Sequence, residues 1–147
     1  MAIEVPDTVS RVLVLSGPSG SGKSTIVDLI AGLIQPVKGQ VEIDGVALDD
    51  IDLATWRASI GAVPQEVLLL SGNVRTNVTM GDTGVPDEDV ISALKDAGVW
   101  DEISGQRAGL ELDVGERGAM LSGGQRARIG VARALASEPN VMLLDEP

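Results

Sequence analysis

Apolar positions come either in short continuous runs or in helix-spaced stripes. Val12-Leu13-Val14-Leu15 is a continuous run, the pattern of a strand buried on both faces of a parallel sheet. Ile26, Leu29, Ile30 and Leu33 fall at i, i+3, i+4 and i+7, one stripe of a helix, with Pro36 just past its end. Val41 to Leu48 alternates around Asp44-Gly45, which predicts a hairpin and an antiparallel β layer rather than a ligand loop. Asp52 is placed to cap a short helix through Leu53, Trp56 and Arg57. Ile60-Gly61-Ala62-Val63 predicts a further strand, closed by Pro64 where a lost donor does least harm, and followed by Gln65.

Beyond Glu66 the texture changes. Val67 to Leu70 is apolar, then Ser71-Gly72-Asn73 leads into polar turns as far as Gly84. A helix is expected from near Pro86, with Asp87, Glu88 and Asp89 in its first turn, Val90, Ile91, Leu94 and Ala97 on its apolar face, and Gly98 ending it. Trp100 and Ile103 predict one more helical turn, and Gly105 to Gly118 is loop-like. Ser122 and Gln125 have capping-box spacing and open a strong helix to about Ser137, which Pro139 stops. Arg126, Arg128 and Arg133 on that helix are expected mostly to form a solvated or ion-paired face. Val141 to Leu144 is an apolar strand ending in Asp145 and Glu146. The resulting architecture is α/β: residues 1–65 and 140–147 form a core with a small antiparallel layer. Residues 66–139 form a mostly helical insertion.

Composition narrows the possibilities. At 147 residues the chain is one domain's worth or a piece of one. Trp56 and Trp100 are its only aromatic residues, so the core must be aliphatic. A net charge of −11 argues against nucleic acid as a main partner, because phosphate contacts along a duplex need a basic face. It does not argue against a nucleotide, for which one local glycine nest and one lysine suffice. Without Cys or His, these residues offer no disulfide, no thiol chemistry and no histidine base or metal ligand. Met1 to Ser10 lacks the pattern of a signal peptide. No apolar run approaches the roughly 20 residues of a membrane helix.

Between the first strand and the first helix, Gly17-Pro18-Ser19-Gly20-Ser21-Gly22-Lys23-Ser24-Thr25 fits G-x-x-x-x-G-K-[ST] without a mismatch. Gly17, Gly20 and Gly22 let the backbone turn its N–H groups inward, forming an anion nest at a helix start. Lys23 is the point charge for the β- and γ-phosphates, and the Ser24 hydroxyl is a Mg²⁺ ligand. A flexible loop that binds nothing would not need this strand and this helix around it. Gly123 and Gly124 directly after a cap weaken a helix, unless its start must let an anion touch the backbone. Asp145, at the ligand end of a parallel strand, is placed to hold Mg²⁺ opposite Ser24, and Glu146 to take a proton from an attacking water. Two acids can simply end a strand, but the glycine loop upstream weighs against that reading.

The glycine loop, Gln65, Leu121-Ser122-Gly123-Gly124-Gln125 and Val141–Glu146 occur in an order that resembles the nucleotide-binding domain of an ABC transporter. Leu121–Gln125 is identical to that family's LSGGQ signature. The resemblance implies that Gly17–Thr25 is Walker A, Val141–Asp145 is Walker B, and Glu146 is the catalytic base. It makes Gln65 the residue that senses Mg²⁺ and the attacking water. It further implies that Ser122, Gly123, Gly124 and Gln125 act on ATP held by a second nucleotide-binding domain in a head-to-tail dimer. The other implied partner is a transmembrane domain, fused or separate, at the cytoplasmic face of the plasma (inner) membrane. Asp113–Gly118 and Leu70–Val78 resemble segments of the exporter branch, which implies ATP-driven export.

The chain departs from the family at its ends. It stops at Pro147, before the D-loop and the switch histidine, and has no Tyr or Phe to stack on adenine ahead of Walker A. It is therefore expected to be a fragment of a larger domain, binding ATP weakly without turnover by itself. A soluble ABC-type ATPase of DNA repair or translation is the alternative. The acidic balance and the Asp113–Gly118 loop count against it.

Overall fold

The computed structural model describes residues 11–18 and 20–145. Ser19 and Glu146 of the expected site lie outside the described residues. Strand β1, Arg11–Leu15, and the last strand, Val141–Asp145, run parallel with Leu15 opposite Asp145. Ile60–Val63 pairs parallel on the other side of Val141–Asp145, with Val63 opposite Leu144. Among the described residues, the last strand is thus the middle one of this sheet. Its all-apolar run is buried accordingly: Met142, Leu143 and Leu144 are at most 5% exposed.

Strand β1 does not behave as expected. Val12 and Val14 are 42% and 53% exposed instead of buried on both faces. The reason is position: among the described residues β1 has a strand on one side only. A continuous apolar run looks the same at an edge as in the centre.

Helix α1, Lys23–Ile30, is shorter than its predicted stripe. The chain leaves it through Gly32 at φ +66, so Leu33 stands 62% exposed beyond the helix. A helix end leaves carbonyls unpaired, and here the next helix satisfies them. That helix is α2, Leu53–Ala58. The Trp56 indole N–H donates to Ile30 O at 2.8 Å, and Arg57 Nε donates to Ala31 O at 3.0 Å. Asp52 caps α2 as predicted, accepting from the Thr55 N–H at 3.0 Å. Its bonds from the Thr55 hydroxyl and N–H hold the Asp52 carboxyl below the usual carboxylate range. That contribution is complete above the ordinary carboxylate pKa and is lost as pH falls through the lowered one. The hairpin between the helices is also present: β2, Glu42–Ile43, pairs antiparallel with β3, Val46–Ala47. Asp44 and Gly45 both have positive φ, as a two-residue turn of the I′ type requires. Ile60–Val63 is strand β4.

The polar turns expected before Gly84 contain a helix instead: α3, Val74–Thr79, capped by Asn73, which accepts from the Thr76 N–H at 2.7 Å. Helix α4, Asp87–Asp96, follows Pro86 as predicted and ends at Gly98 (φ +68). Gly98 N–H donates to Lys95 O and Val99 N–H to Leu94 O, the reciprocal pair of a Schellman motif. Helix α5 is Trp100–Ser104, helix α6 is Gly123–Leu135, and Val141–Asp145 is β5. Helix α6 packs against α3, α4 and β4. One aliphatic cluster runs from Val63 and Leu144 through Val74 and Leu94 to Ile129. The helices and the sheet therefore share a core.

Two of the α6 arginines are not the solvated or ion-paired face that was expected. Arg126 donates to Leu121 O at 2.9 Å, and Arg133 donates to Asn77 O at 2.8 Å and Leu68 O at 3.1 Å. Burial lowers the pKa of the Arg133 guanidinium, and carbonyl oxygens surround its charge. Fully buried Asn77 adds both bonds of a backbone mimic to Leu70: it accepts from the Leu70 N–H and donates to Leu70 O, each at 2.8 Å. Asn77→Ala strands these groups and should cost about 2–3 kcal/mol, read as a lower melting temperature of the purified protein.

Candidate nucleotide site

Parallel pairing with close register brings two loops and the end of β5 to one edge of the sheet. Leu15 lies level with Asp145, so the glycine loop begins beside the end of β5. Val63 lies level with Leu144, so Gln65 follows on the opposite flank. The carboxyl edge of a parallel sheet is where such folds place ligands.

Within the glycine loop, Gly20 and Gly22 have φ of +78 and +89, and nothing lies within 4 Å of a Cβ built at either. Backbone conformation, not crowding, requires glycine there. Gly22 is the N-cap of α1, and among the described residues no side chain caps that helix. The helix start therefore offers backbone N–H groups at the positive end of its dipole. Ser21 N–H donates to Pro18 O at 3.2 Å and closes the turn. Lys23 folds back over it, with Nζ 2.8 Å from both Gly17 O and Pro18 O. The loop thus holds its own ammonium over its rim, where an anion could replace the carbonyls. Thr25 is exposed in the first turn of α1.

The two predicted metal ligands meet. Ser24 Oγ donates to Asp145 Oδ2 at 2.6 Å, across 121 residues of sequence. Asp145 is 6% exposed, and its Oδ1 is buried with no hydrogen-bond partner among the described residues. A carboxylate oxygen held in that state is costly unless something else uses it. A hydroxyl and an orphaned carboxylate oxygen are a hard-oxygen pair suited to Mg²⁺, which takes few protein ligands and completes its shell with phosphate and water. A cleft of about 480 Å³ opens beside them, lined also by Gln65, Asp28 and Glu66. The last two escaped the sequence reading. Asp28, four residues after Ser24 on the same helix, was the available signal.

Ser122–Gln125 opens α6, and among the described residues no hydrogen bond joins it to the glycine loop. Here the predicted capping box forms, with Ser122 Oγ accepting from the Gln125 N–H at 3.2 Å and Gln125 Oε1 accepting from the Ser122 N–H at 2.9 Å. Gly123 and Gly124 have ordinary φ, and an added Cβ would meet nothing closer than 3.9 and 3.5 Å. Neither glycine is required by this chain's own backbone or packing.

The model of the family described as ABC transporter matches residues 8–147. The chain belongs to the ABC transporter family. It is 42% identical over 136 residues to the ATP-dependent lipid A-core flippase of Paraburkholderia xenovorans, covering 92% of this chain and 23% of that protein. It is 47% identical over 136 residues to the leukotoxin translocation ATP-binding protein LktB of Mannheimia haemolytica, covering 92% of this chain and 19% of that protein. In fold it matches a bacterial Atm1-family ABC exporter solved with ATP bound: TM-score 0.82 and 38% identity, covering 92% of this chain and 24% of that one. The chain thus spans about a quarter or less of these relatives. The expected resemblance to an exporter-type nucleotide-binding domain and the α/β architecture, with its parallel sheet and small antiparallel layer, are both borne out. Among the described residues, no helix is long and apolar enough to cross a membrane.

Proposed function

We propose that the protein containing this chain binds and hydrolyses MgATP to drive export across a membrane. Within it, these residues supply Walker A, Walker B and the signature. The observation that carries this reading is the Ser24–Asp145 contact at 2.6 Å, beside a helix start; among the described residues Asp145 Oδ1 is buried with no partner and no side chain caps that helix. Gly17–Thr25 wraps the phosphates with backbone N–H groups, and Lys23 exchanges two loop carbonyls for phosphate oxygens. Ser24 and Asp145, with Gln65 nearby, would hold Mg²⁺, which would neutralise phosphate charge there. Glu146 accepts a proton from the water whose oxygen attacks the γ-phosphorus, while the bond to the β–γ bridging oxygen breaks to leave ADP and phosphate.

Ser122, Gly123 and Gly124 serve the ATP of a second nucleotide-binding domain. Support comes from the two glycines: their small size serves no contact inside this chain, and it leaves the start of α6 open to an anion arriving from outside. A membrane domain, fused or separate, provides the transport path, and the nucleotide-binding part faces the cytoplasm. Residues 66–139 act as the helical subdomain that presents the signature. The 147-residue chain alone binds ATP weakly without sustained turnover. Glu146→Gln in the full-length protein is expected to retain ATP binding while phosphate release falls about 100-fold or more. Normal turnover by that variant refutes the assignment of the base.

A further inference from the structure

The signature's Gln125 does more than close its capping box. Its Oε1 faces the Ser122 N–H, and its Nε2 donates to Glu102 Oε2 at 2.9 Å. The other oxygen, Glu102 Oε1, forms an ion pair with Arg128 Nη2. Glu102 lies on α5, so one carboxylate from a different helix grips the first two turns of α6.

The chemistry of an amide makes this consequential. A Gln side chain can present either oxygen or NH₂ to a given neighbour, and its two ends differ only in hydrogen bonding. A carboxylate accepts and never donates while ionised, so it tolerates only the NH₂ end. Glu102 therefore forces the Gln125 oxygen toward Ser122. That orientation completes the capping box and fixes the Ser122 backbone from which its hydroxyl projects. The same carboxylate holds Arg128, whose Nη1 would lie 3.5 Å from a Cβ at Gly124. It thereby stations a guanidinium next to the exposed Gly124. Among the described residues Arg128 Nε is buried without a partner, and the side-chain contact given for this guanidinium is the pair with Glu102.

We infer that Glu102 is a positioning residue for the signature, setting the Gln125 amide and the Arg128 guanidinium so that the start of α6 is preorganised for phosphate. The inference rests on the reading that this helix start meets ATP across a dimer, and preorganised donors are what such a site needs.

Two measurements on the full-length protein separate the inference from that reading. The first is amide hydrogen exchange in nucleotide-free protein, which needs no catalysis. Glu102→Ala should speed exchange at Ser122 and Gln125 about 10-fold, whereas Glu102→Gln, whose amide oxygen can still accept from Gln125, should leave it within about twofold. The second is steady-state ATP hydrolysis. Glu102→Ala should lower kcat about 5–10-fold with binding of MgATP to Walker A unchanged, and Glu102→Gln should recover at least about half of it. Adding Glu102→Ala to Gln125→Ala should cost clearly less than the two single losses combined, because the Gln125 arm is already gone and only the Arg128 arm remains to lose. Unchanged exchange in Glu102→Ala, no rescue by Glu102→Gln, or additive losses in the double variant overturns the inference. Accelerated exchange in a protein whose wild type does not hydrolyse ATP overturns the proposed function and leaves the positioning role standing.

Discussion

Exchange of Asp145 for Asn lowers Mg²⁺-dependent ATP hydrolysis by about 100-fold or more and leaves the melting temperature unchanged or raised. The two halves of this result have opposite signs for one reason. Asp145 is 6% exposed, and of its two oxygens only Oδ2 has a described partner, the Ser24 hydroxyl at 2.6 Å. Burying a charge that is only partly hydrogen-bonded is unfavourable, so a neutral amide of the same shape is the cheaper occupant. The Ser24 hydroxyl can still donate to the amide oxygen or rotate to accept from its NH₂, so the Ser24 contact survives, and the end left at the Oδ1 position is neutral instead of charged. What the amide lacks is the negative oxygen aimed at Mg²⁺. A residue that merely ended a strand would show the reverse: stability lost or unchanged, activity intact. The check is a thermal melt and a phosphate-release assay on the same preparation, with Mg²⁺ titrated. Hydrolysis near the wild-type level would remove Asp145 from the metal site.

That local misfit is what makes the candidate site legible in the sequence. Glycines at Gly20 and Gly22, two more directly after a helix cap, and an acid closing the apolar run of β5 are each poor choices for structure alone. Elements whose signals are local were equally legible: the Asp44-Gly45 hairpin, the Asp52 cap, the Ser122–Gln125 box and the Gly98 stop. Features that depend on what lies opposite were not. Strand β1 has a central strand's composition and an edge strand's exposure, because pairing is not encoded in its own four apolar residues. Helix α3 presents only Val74 and Val78 as an apolar pair, while its stability also draws on Asn77 and on Arg133 from α6. A polar residue whose partners are distant backbone groups looks like surface in the sequence. Arg126, Arg133 and the Gln125–Glu102 contact escaped for the same reason.

Gly130 provides the largest expected loss of stability among the described glycines in helices, and the loss should be reversible at a second position. The residue is buried in α6, and a Cβ there would lie 2.5 and 2.7 Å from the two Val67 γ carbons and 3.2 Å from Val67 Cβ. Gly130→Ala gains about 1 kcal/mol of helix propensity. The overlap with a β-branched side chain, which has few rotamers to escape into, costs about 3 kcal/mol. The net expectation is a loss of about 2 kcal/mol, seen as a lower melting temperature. Val67→Ala alone should cost about 1 kcal/mol, since it deletes two methyl groups from a half-buried position. The two together should be more stable than Gly130→Ala alone, because both short contacts vanish and the remaining 3.2 Å approach needs only a small shift. Additive losses would mean that α6 and the Val67 segment do not pack as described. Val67 is two residues from Gln65, so the clash should also reach the cleft. Gly130→Ala should weaken the Mg²⁺ dependence of hydrolysis beyond what its stability loss explains, and Val67→Ala should restore it, which ties the packing of α6 to the placement of Gln65.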